Sequence, residues 1–117
     1  MPPPNYVPER GDAIWLDCNP QAGREQAGRR PALVLSPAAY NRKSGLALVC
    51  PITSHSKGYP FESAVPHGIP IEGVVLSDQI RCLDWQKRHA KRIARIPETL
   101  LQDVTAKLAA LLCLEDS

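Results

Sequence analysis

Closely spaced cysteines are absent from this sequence, although it contains four cysteines in all. No two of them form a Cys-x-x-Cys pair, and none of the three histidines falls beside a cysteine at the spacing of zinc ligands. We therefore predict no metal site and no cofactor. Because Cys18, Cys50 and Cys82 each lie within an apolar run, we expect these three to be core residues.

Long apolar stretches and a secretory leader are also missing. No run approaches the roughly 18 apolar residues of a membrane-spanning helix. Residues 1–5 lack a charged segment followed by an apolar one, which is the pattern of a signal peptide. We therefore expect a cytoplasmic protein with reduced thiols and no membrane attachment.

Aromatic residues are scarce: Phe, Trp and Tyr make up 5% of the sequence, which argues against a broad base-stacking platform. Prolines, by contrast, number 12 and are spread along the chain. Because proline disrupts helices and marks turns, this spread favours many short strands over a helical bundle. The length suits one domain over residues 1–117, with residues 1–9 expected to be a flexible or loosely docked tail.

Short apolar runs bounded by turn residues predict a series of β-strands. Two strands are predicted at residues 30–36, of which residues 32–35 are apolar on both faces, and at residues 46–52; such runs are typical of interior strands. Residues 61–65 are predicted to form an edge strand. The other predicted strands are residues 13–18, 73–77, 79–83 and a strand through Ile93 and Ile96.

One helix is predicted from a clear start and a regular apolar stripe. Pro97 suits the first helical position, and Glu98 suits the first turn. Short helical segments are also predicted within residues 37–45 and 85–90. The predicted fold is thus mainly β, a small antiparallel barrel whose C-terminal helix caps one opening or packs across a dimer. The stripe consists of Leu101, Val104, Leu108, Leu111 and Leu112.

The net charge of +2 conceals an uneven distribution of charged residues. Residues 24–95 contain twelve Lys or Arg against five Asp or Glu, whereas residues 1–23 and 96–117 are both net acidic. A basic middle between acidic ends predicts either a surface that binds a polyanion or a solvated basic face without a partner. The basic run 87–95 has the same two interpretations, of which phosphate contact is slightly favoured.

Three groups of polar residues stand where predicted loops meet predicted strand ends. Cleavage of RNA can use the substrate's own 2′-hydroxyl as the nucleophile, so the protein needs only a proton acceptor and groups that stabilise phosphoryl charge. A carboxylate, an arginine and a hydroxyl would supply these functions. The ordinary alternatives are a surface charge, a strand-end hydroxyl bonded to backbone and a turn carboxylate. The groups are Glu25 with Arg30, Thr53 with Ser54, and Asp78 with Gln79 and Arg81.

Several strings of this sequence, taken in order, resemble the MazF/PemK toxin family. They are GDAIW at 11–15, EQAGRRPALVLS at 25–36, PITS at 51–54, KGYPF at 57–61 and GVVLSDQ at 73–79. The motif Glu-Gln-x-Gly-x-Arg-Pro followed by a strand is the most specific of them. The resemblance covers nearly the whole chain, from about Tyr6 to Leu112.

The resemblance implies a fold, an activity and partners. The implied fold is an SH3-like β-barrel of the PemK/CcdB type that forms a homodimer. The implied activity is metal-independent cleavage of single-stranded messenger RNA at short sequences, which leaves a 2′,3′-cyclic phosphate and a 5′-hydroxyl. Such cleavage inhibits translation and growth, and a cognate MazE-like antitoxin with a flexible acidic tail neutralises the toxin.

Carried over position by position, the resemblance also implies residue roles. Arg30 matches the family arginine of catalysis and phosphate stabilisation, Thr53 the hydroxyl at the scissile phosphate, and Glu25 a candidate proton acceptor. Residues 54–61 form the loop that we expect to read the bases. The residues expected to contact RNA are Arg29, Ser54, His55, Ser56, Lys57, Asp78, Gln79 and Arg81.

The chain departs from its apparent family at a few positions. Arg29 stands where relatives carry histidine, and His55 stands where they carry glutamine. Leu76 occupies a position at which some branches use an arginine, which argues against any mechanism that needs a second arginine there. The simpler interpretation of His55 is an exposed loop histidine.

Two alternatives to an RNA-cleaving toxin remain open. The first is a toxin of the same fold that poisons DNA gyrase, a branch that ends in Trp-Gly-Ile where this sequence ends in residues Leu114-Glu115-Asp116-Ser117. The second is a nucleic-acid-binding module that has the fold and groove but does not cleave. The presence of Arg30, Thr53 and Glu25 together favours the enzyme over both.

Overall fold

The computed structural model describes residues 6–18 and 28–113. Within these ranges the chain forms seven strands and two helices. In order they are β1 (Asp12–Asp17), β2 (Arg29–Val34), α1 (Ala38–Ser44), β3 (Leu46–Thr53), β4 (Glu62–Ala64), β5 (Val74–Leu76), β6 (Arg81–Asp84), β7 (Lys91–Arg95) and α2 (Glu98–Leu112). The fold is therefore mainly β with a C-terminal helix, as the sequence predicted.

The strands form an antiparallel sheet in the order β4-β5-β3-β2-β1-β7, and β6 also pairs with β3. Strand β3 is central because it pairs with β2, with β6 over Leu46 to Val49, and with β5 at Ile52 and Thr53. Among the described residues the outer strands β4 and β7 do not pair, so the sheet is curled and does not close into the predicted barrel. Strands β4 and β5 have only three residues each, so this end of the sheet is narrow.

Two hydrophobic clusters pack on opposite faces of the sheet because successive side chains of a strand alternate in direction. One cluster contains Ala13, Leu33 and Cys50 from the strands, and α2 covers this face. The other contains the alternate residues Ile14 and Val34 together with Trp85, Leu16, Ala32, Ala47 and Val49. Burial of each large aliphatic side chain contributes roughly 1.5–3 kcal/mol, so these clusters are the main source of stability.

Helix α2 begins one residue later than predicted. Pro97 has an extended conformation, with φ −65° and ψ 149°, and therefore precedes the helix, whereas Glu98 lies in the first turn. The predicted apolar stripe is confirmed where it meets the sheet, since Leu101, Val104 and Leu108 are buried. Leu112 is 79% exposed and extends beyond the covered face. In the described ranges, neither helix has the length and hydropathy of a membrane span.

The segment Tyr6 to Glu9, expected to be either flexible or loosely docked, is docked on the sheet. The Tyr6 hydroxyl donates a hydrogen bond to Asp12 Oδ2 (2.7 Å), and the Asn41 side-chain amide donates to the Pro8 carbonyl (2.8 Å). Pro8 is fully buried. Burial, followed by the contact with Asp12, raises the pKa of the Tyr6 phenol well above its ordinary value. Residues 1–5 lie outside the described ranges.

The prediction of a short helix in residues 85–90 is wrong, since this segment is a tight turn between β6 and β7. Backbone bonds run from Arg88 N to Asp84 O (3.2 Å) and from Ala90 N to Trp85 O (3.0 Å). His89 has φ 53°, a left-handed conformation that ends a helix. By contrast, helix α1 and the short edge strand β4 confirm the predictions for residues 37–45 and 61–65.

Only part of the prediction for the cysteines is confirmed. Cys50 is completely buried, and burial, assisted by the charge of Asp78, raises the pKa of its thiol to about 12. Cys18 is partly exposed, and Cys82 is exposed, so Cys82 is not a core residue. Cys82 lies opposite Leu48 in the β3–β6 ladder, and Leu48 is itself exposed, which places this pair on an uncovered part of the sheet.

Candidate functional site

The ends of β2 and β3 bring Arg30 and Thr53 together. Ala32 of β2 stands opposite Pro51 of β3 in the antiparallel ladder. The paired part of this ladder ends there, and Arg30 and Thr53 each lie two residues further along their strands. Because residues two apart share a face, both side chains lie on the same side of the two strands. Both residues also line the same cleft, so a single phosphate there can contact both.

Arg30 and Thr53 line one open cleft of ≈ 460 Å³, which we call the Thr53 cleft. Part of its wall is apolar, formed by Pro31, Ile52 and Ile71. Five of the residues predicted for the site thus meet at a single place in the fold. The predicted site residues that line the cleft are Arg29, Arg30, Thr53, Ser54 and His55.

The Thr53 hydroxyl has a defined orientation. Its Oγ1 accepts a hydrogen bond from the backbone N–H of His55 (3.1 Å). Since this bond uses an oxygen lone pair, the hydroxyl hydrogen stays available for donation to a bound oxygen. The main chain is also held closely here, because a Cβ on Gly73 would lie 2.0 Å from the Thr53 carbonyl oxygen. Gly73, with φ +127°, is therefore needed for β5 to approach the end of β3.

Arg29 contributes to the same cleft through an aromatic contact. Its guanidinium carbon lies 5.2 Å from the centroid of the Trp15 ring. This distance is within the range of a cation–π interaction, which holds a planar cation against an aromatic face. Arg29 and Trp15 together present a flat, positively charged wall that suits a nucleotide.

A second, smaller cleft of ≈ 220 Å³ lies beside the first, and we call it the Arg81 cleft. Arg30, Arg81 and Arg88 line it together with apolar side chains that include Leu16 and Leu83. Arg30 lines both clefts and contributes positive charge to each of them. The predicted RNA contact Arg81 is thereby brought close to the predicted catalytic arginine.

Several arginines of the basic run 87–95 form hydrogen bonds or ion pairs with other residues of the chain. The Arg88 guanidinium donates to the carbonyls of Asp17 and Cys18, at 3.0 Å each. Arg92 and Arg95 lie 3.5 and 3.6 Å from the carboxylate of Asp12, which is buried. At least three of these charges therefore hold the β1 strand in place.

Other predicted site residues lie near the clefts but do not line either of them. Asp78 and Gln79 are exposed in the turn between β5 and β6, where the Gln79 N–H donates to the Leu76 carbonyl (3.1 Å). Ser56 and Lys57 are exposed in the loop that follows β3. Their roles in RNA contact remain predictions.

Glu25, the predicted proton acceptor, lies outside the described ranges. The residues on either side of its loop are described, since the N–H of Cys18 bonds to the carbonyl of Gly28 (3.3 Å). This bond closes the loop at the end of the β1–β2 ladder, next to Arg29 and Arg30 in β2. The role of Glu25 therefore stays a prediction from the sequence.

Sequence reasoning missed several residues at the site. Trp15 and Glu72 line the Thr53 cleft, and Glu62 holds the loop after β3 through its carboxylate. Trp15 lies in the GDAIW string, but neither that string nor the residues around Glu62 and Glu72 indicate that these side chains reach the site. In the described ranges no three His, Cys, Asp or Glu side chains come together as a metal centre would require.

The fold and the clefts define a structural class of protein. Its features are a small, curled antiparallel sheet, a basic cleft at the ends of two neighbouring strands and a helix across one face. Residues 9–112 match the family described as PemK-like, MazF-like toxin of type II toxin-antitoxin system. This chain belongs to that family, as its sequence motifs predicted.

Similar proteins match over almost their entire lengths. The endoribonuclease toxin MazF of Escherichia coli strain K12 is 47% identical over 107 residues, covering 92% of this chain and 96% of that protein. The endoribonuclease PemK of Escherichia coli is 42% identical over 110 residues, covering 89% of this chain and 81% of that protein. A MazE-MazF crystal structure (Form-II) from Deinococcus radiodurans has a TM-score of 0.86 and 47% identity, covering 95% of this chain and 100% of that chain.

Proposed function

We propose that this chain is the endoribonuclease toxin of a type II toxin–antitoxin system. It cleaves single-stranded messenger RNA at a short sequence without a metal ion, and the cleavage inhibits translation and growth. The observation that carries this proposal is the single cleft lined by Arg30 and Thr53 at the ends of two paired strands. The similar proteins named endoribonuclease MazF and endoribonuclease PemK support it.

Arg30 and Thr53 stabilise charge on the phosphate in the proposed mechanism. An arginine side chain in a protein is a poor proton donor, so Arg30 acts through its positive charge and its N–H donors. The Thr53 hydroxyl accepts from the His55 N–H and donates its own hydrogen to a phosphoryl oxygen. Both groups therefore stabilise the phosphoryl oxygens as their negative charge grows in the transition state.

The bond changes of the proposed reaction occur at one phosphorus atom. A bond forms between the 2′-oxygen and phosphorus while the bond from phosphorus to the 5′-oxygen breaks. Glu25 accepts the proton of the 2′-hydroxyl, and the departing 5′-oxygen gains a proton from water while Arg30 stabilises its charge. The products are a 2′,3′-cyclic phosphate and a 5′-hydroxyl, and the 2′-hydroxyl requirement restricts the substrate to RNA.

The residues around the cleft supply RNA contacts in this proposal. Arg29 on Trp15 offers a flat cationic surface for a base or a phosphate. The loop of residues 54–61 contacts the open edges of unpaired bases, which are accessible only in single-stranded RNA. Arg81 extends the basic surface into the second cleft. Asp78 and Gln79 contact the RNA next to Arg81.

The proposed partners follow from the charge of the clefts and from the similar structures. The clefts favour an acidic segment as well as RNA, so we propose a MazE-like antitoxin whose flexible acidic tail competes with the substrate. The similar structure from Deinococcus radiodurans is named for MazE with MazF. We also propose that the toxin is a homodimer and that it acts in the cytoplasm, where messenger RNA is translated.

The test is incubation of the purified full-length protein with a long single-stranded RNA in excess EDTA. Cut positions are mapped by sequencing, and the end groups are identified by mass spectrometry. Arg30→Ala is assayed in parallel, with Arg42→Ala as the matched control because Arg42 is an exposed arginine on α1. We expect cuts at one short motif with cyclic phosphate ends, and a rate lowered on the order of a hundredfold by Arg30→Ala alone.

Three outcomes would contradict the proposal. Intact RNA in the presence of folded wild-type protein would leave a binding module or a gyrase-directed toxin as the better interpretation. Cutting that stops in EDTA would exclude a metal-free reaction. Cutting at a normal rate by Arg30→Ala would remove Arg30 from the mechanism.

A further inference from the structure

The carboxylate of Glu62 collects three hydrogen bonds from the loop that follows β3. We call residues 54–61 the recognition loop. The Ser56 hydroxyl donates to Oε1 (2.8 Å), the Lys57 N–H donates to Oε2 (2.8 Å) and the Gly58 N–H donates to Oε1 (3.1 Å). Both oxygens of one carboxylate are thus engaged by three consecutive residues. The path of the loop between Ser56 and Gly58 depends on this single side chain.

The backbone of Glu62 is anchored in the body of the fold. Glu62 is the first residue of β4 and pairs with Leu76 of β5. Its carbonyl accepts a hydrogen bond from Lys107 Nζ (2.8 Å), and Lys107 also contacts Asp103 (3.0 Å) on α2. The sheet and the C-terminal helix therefore fix the position from which the carboxylate reaches the loop.

Glu62 accepts its hydrogen bonds from two main-chain N–H groups and one hydroxyl of the recognition loop. The longer side chains of the loop are not used in these bonds and can contact a ligand. The side chains of His55, Lys57 and Tyr59 are exposed, and Tyr59 is 60% exposed. His55 lines the Thr53 cleft, so one end of the loop touches the site directly. The hydrogen of the Ser56 hydroxyl is committed to Glu62, which leaves only oxygen lone pairs for a ligand.

We propose that Glu62 is a positioning residue for RNA recognition, whose carboxylate holds the recognition loop in the shape that presents His55, Lys57 and Tyr59 to the bases beside the scissile phosphate. The proposal rests on the proposed function, because it assigns to Glu62 the selectivity of that reaction and not its chemistry. A loop already ordered in its binding shape loses less conformational entropy when RNA binds. Removal of the carboxylate therefore weakens and broadens substrate selection while the bond-breaking step is retained.

The ionised form of Glu62 is the form that the loop requires. The backbone N–H of Lys57, followed by the Ser56 hydroxyl, holds the pKa of the Glu62 carboxyl below its ordinary value. A neutral amide of the same size has one oxygen in place of two and cannot accept all three bonds in the same geometry. Glu62→Gln is therefore the variant that removes the function with the smallest change in shape.

The experiment compares wild type, Glu62→Gln and Glu98→Gln on a pool of RNA with randomised sequence. Glu98 is an exposed carboxylate at the start of α2 and serves as the matched control. Sequencing of the cut sites gives the motif, and kcat and KM are measured on the preferred sequence. For Glu62→Gln we expect KM to rise about tenfold, kcat to stay within about twofold and the share of cuts outside the motif to rise about fivefold. Glu98→Gln should match wild type in all three quantities.

An independent measurement uses the wild-type protein alone and does not depend on how the variant folds. Amide hydrogen exchange at Lys57 and Gly58 should be slower than at the exposed Ser56, because the Lys57 and Gly58 N–H groups donate to Glu62 whereas the Ser56 N–H donates to no group within the described residues. In Glu62→Gln this protection should be lost while that of β3 and α2 is kept. Unprotected amides at both positions in the wild type would overturn the proposal.

The cleavage assay separates failure of this inference from failure of the proposed function. If wild type cuts at a defined motif and Glu62→Gln keeps the same motif and KM, Glu62 does not position the loop. If Glu62→Gln loses kcat with an unchanged motif, its role is chemical or structural, and the inference is equally wrong. If wild type leaves all RNA intact, the proposed function fails first, and the assignment of an RNA-reading loop fails with it.

Discussion

Arg29 and Arg30 are neighbours in β2 but project to opposite sides of the strand. Arg29 lies over the ring of Trp15, at 5.2 Å, whereas Arg30 stands between the Thr53 cleft and the Arg81 cleft. The alternation of side chains along a strand causes this separation. Two identical side chains therefore meet different surroundings, and the structure predicts different roles for them.

We predict that Arg29→Ala and Arg30→Ala affect different kinetic constants of RNA cleavage. Loss of Arg29 removes a binding surface, so KM should rise about fivefold with kcat nearly unchanged. Loss of Arg30 removes a group that stabilises the transition state, so kcat should fall on the order of a hundredfold. Steady-state kinetics on a short fluorogenic RNA measures both constants. Equal losses of kcat in the two variants would show that the arginines do not have separate roles.

Substitutions of Thr53 should distinguish the effect of its hydroxyl on activity from the effect of its side-chain shape. Thr53→Val keeps the branched side chain, removes the acceptor of the His55 N–H and removes the hydrogen proposed to reach the phosphate. We expect kcat to fall at least about tenfold in Thr53→Val, since a hydrogen bond to a charged group is worth roughly 1.5–3 kcal/mol. Thr53→Ser keeps the hydroxyl and should retain most of the activity. A serine variant as inactive as the valine variant would contradict this role of the hydroxyl.

The buried side chain of Asn41 should be a main determinant of stability. It donates hydrogen bonds to the carbonyls of Pro8 and Ser36, at 2.8 and 3.0 Å, and is fully buried. Asn41→Ala leaves these carbonyls without that partner and should lower the free energy of unfolding by about 2–3 kcal/mol. Arg42→Ala, at the next and exposed position of the same helix, should change it by less than about 0.5 kcal/mol. Urea unfolding followed by circular dichroism measures both, and a loss at Asn41 as small as that at Arg42 would refute the prediction.

The contact between α2 and β4 should stabilise the protein less as the pH falls. The Ser63 hydroxyl, followed by Lys107, holds the pKa of Asp103 below its ordinary value of 3.8. A carboxyl whose pKa is lower in the folded state stabilises the protein fully above its unfolded pKa, and this stabilisation is lost as the pH falls through the folded pKa. The effect is modest because the Asp103 side chain is 50% exposed.

Asp103→Asn should therefore lower Tm slightly at about pH 6, and the difference should shrink as the pH falls through the folded pKa of Asp103. Thermal melts of both proteins across this range give the difference in Tm. Glu72→Gln is a suitable control, because Glu72 is an exposed carboxylate that makes no hydrogen bond or ion pair within the described residues. A difference in Tm that grew as the pH fell would contradict the predicted sign.

Much of the secondary structure could be predicted because its determinants are local. The apolar runs that became β2 and β3 are bounded by Pro and Gly, and strands of this kind depend on their own composition. The stripe of α2 could be found from helical spacing in one segment. The segment 85–90 could not be assigned correctly, because its turn is held by Asp17 and Cys18 from a distant strand through Arg88.

Burial and closure of the sheet could not be predicted from the same local patterns. Cys82 lies in an apolar run, yet it is exposed because its strand neighbour Leu48 belongs to an uncovered part of the sheet. Whether residues Tyr6 to Glu9 are flexible or docked could not be decided from the sequence. Their order comes from Asp12 and Asn41, which the sequence does not place beside them.

The sequence by itself determined the class of fold and the candidate site residues, since strand and helix periodicity and the Glu-Gln-x-Gly-x-Arg-Pro motif are properties of short segments. Only the tertiary structure decided which of those residues meet. It brought Arg30 and Thr53 to one cleft at the ends of β2 and β3, and it placed the Glu62 carboxylate against Lys57 of the recognition loop. The physical reason is that a hydrogen-bond ladder positions side chains from segments far apart in sequence, and its register depends on the packing of the whole sheet.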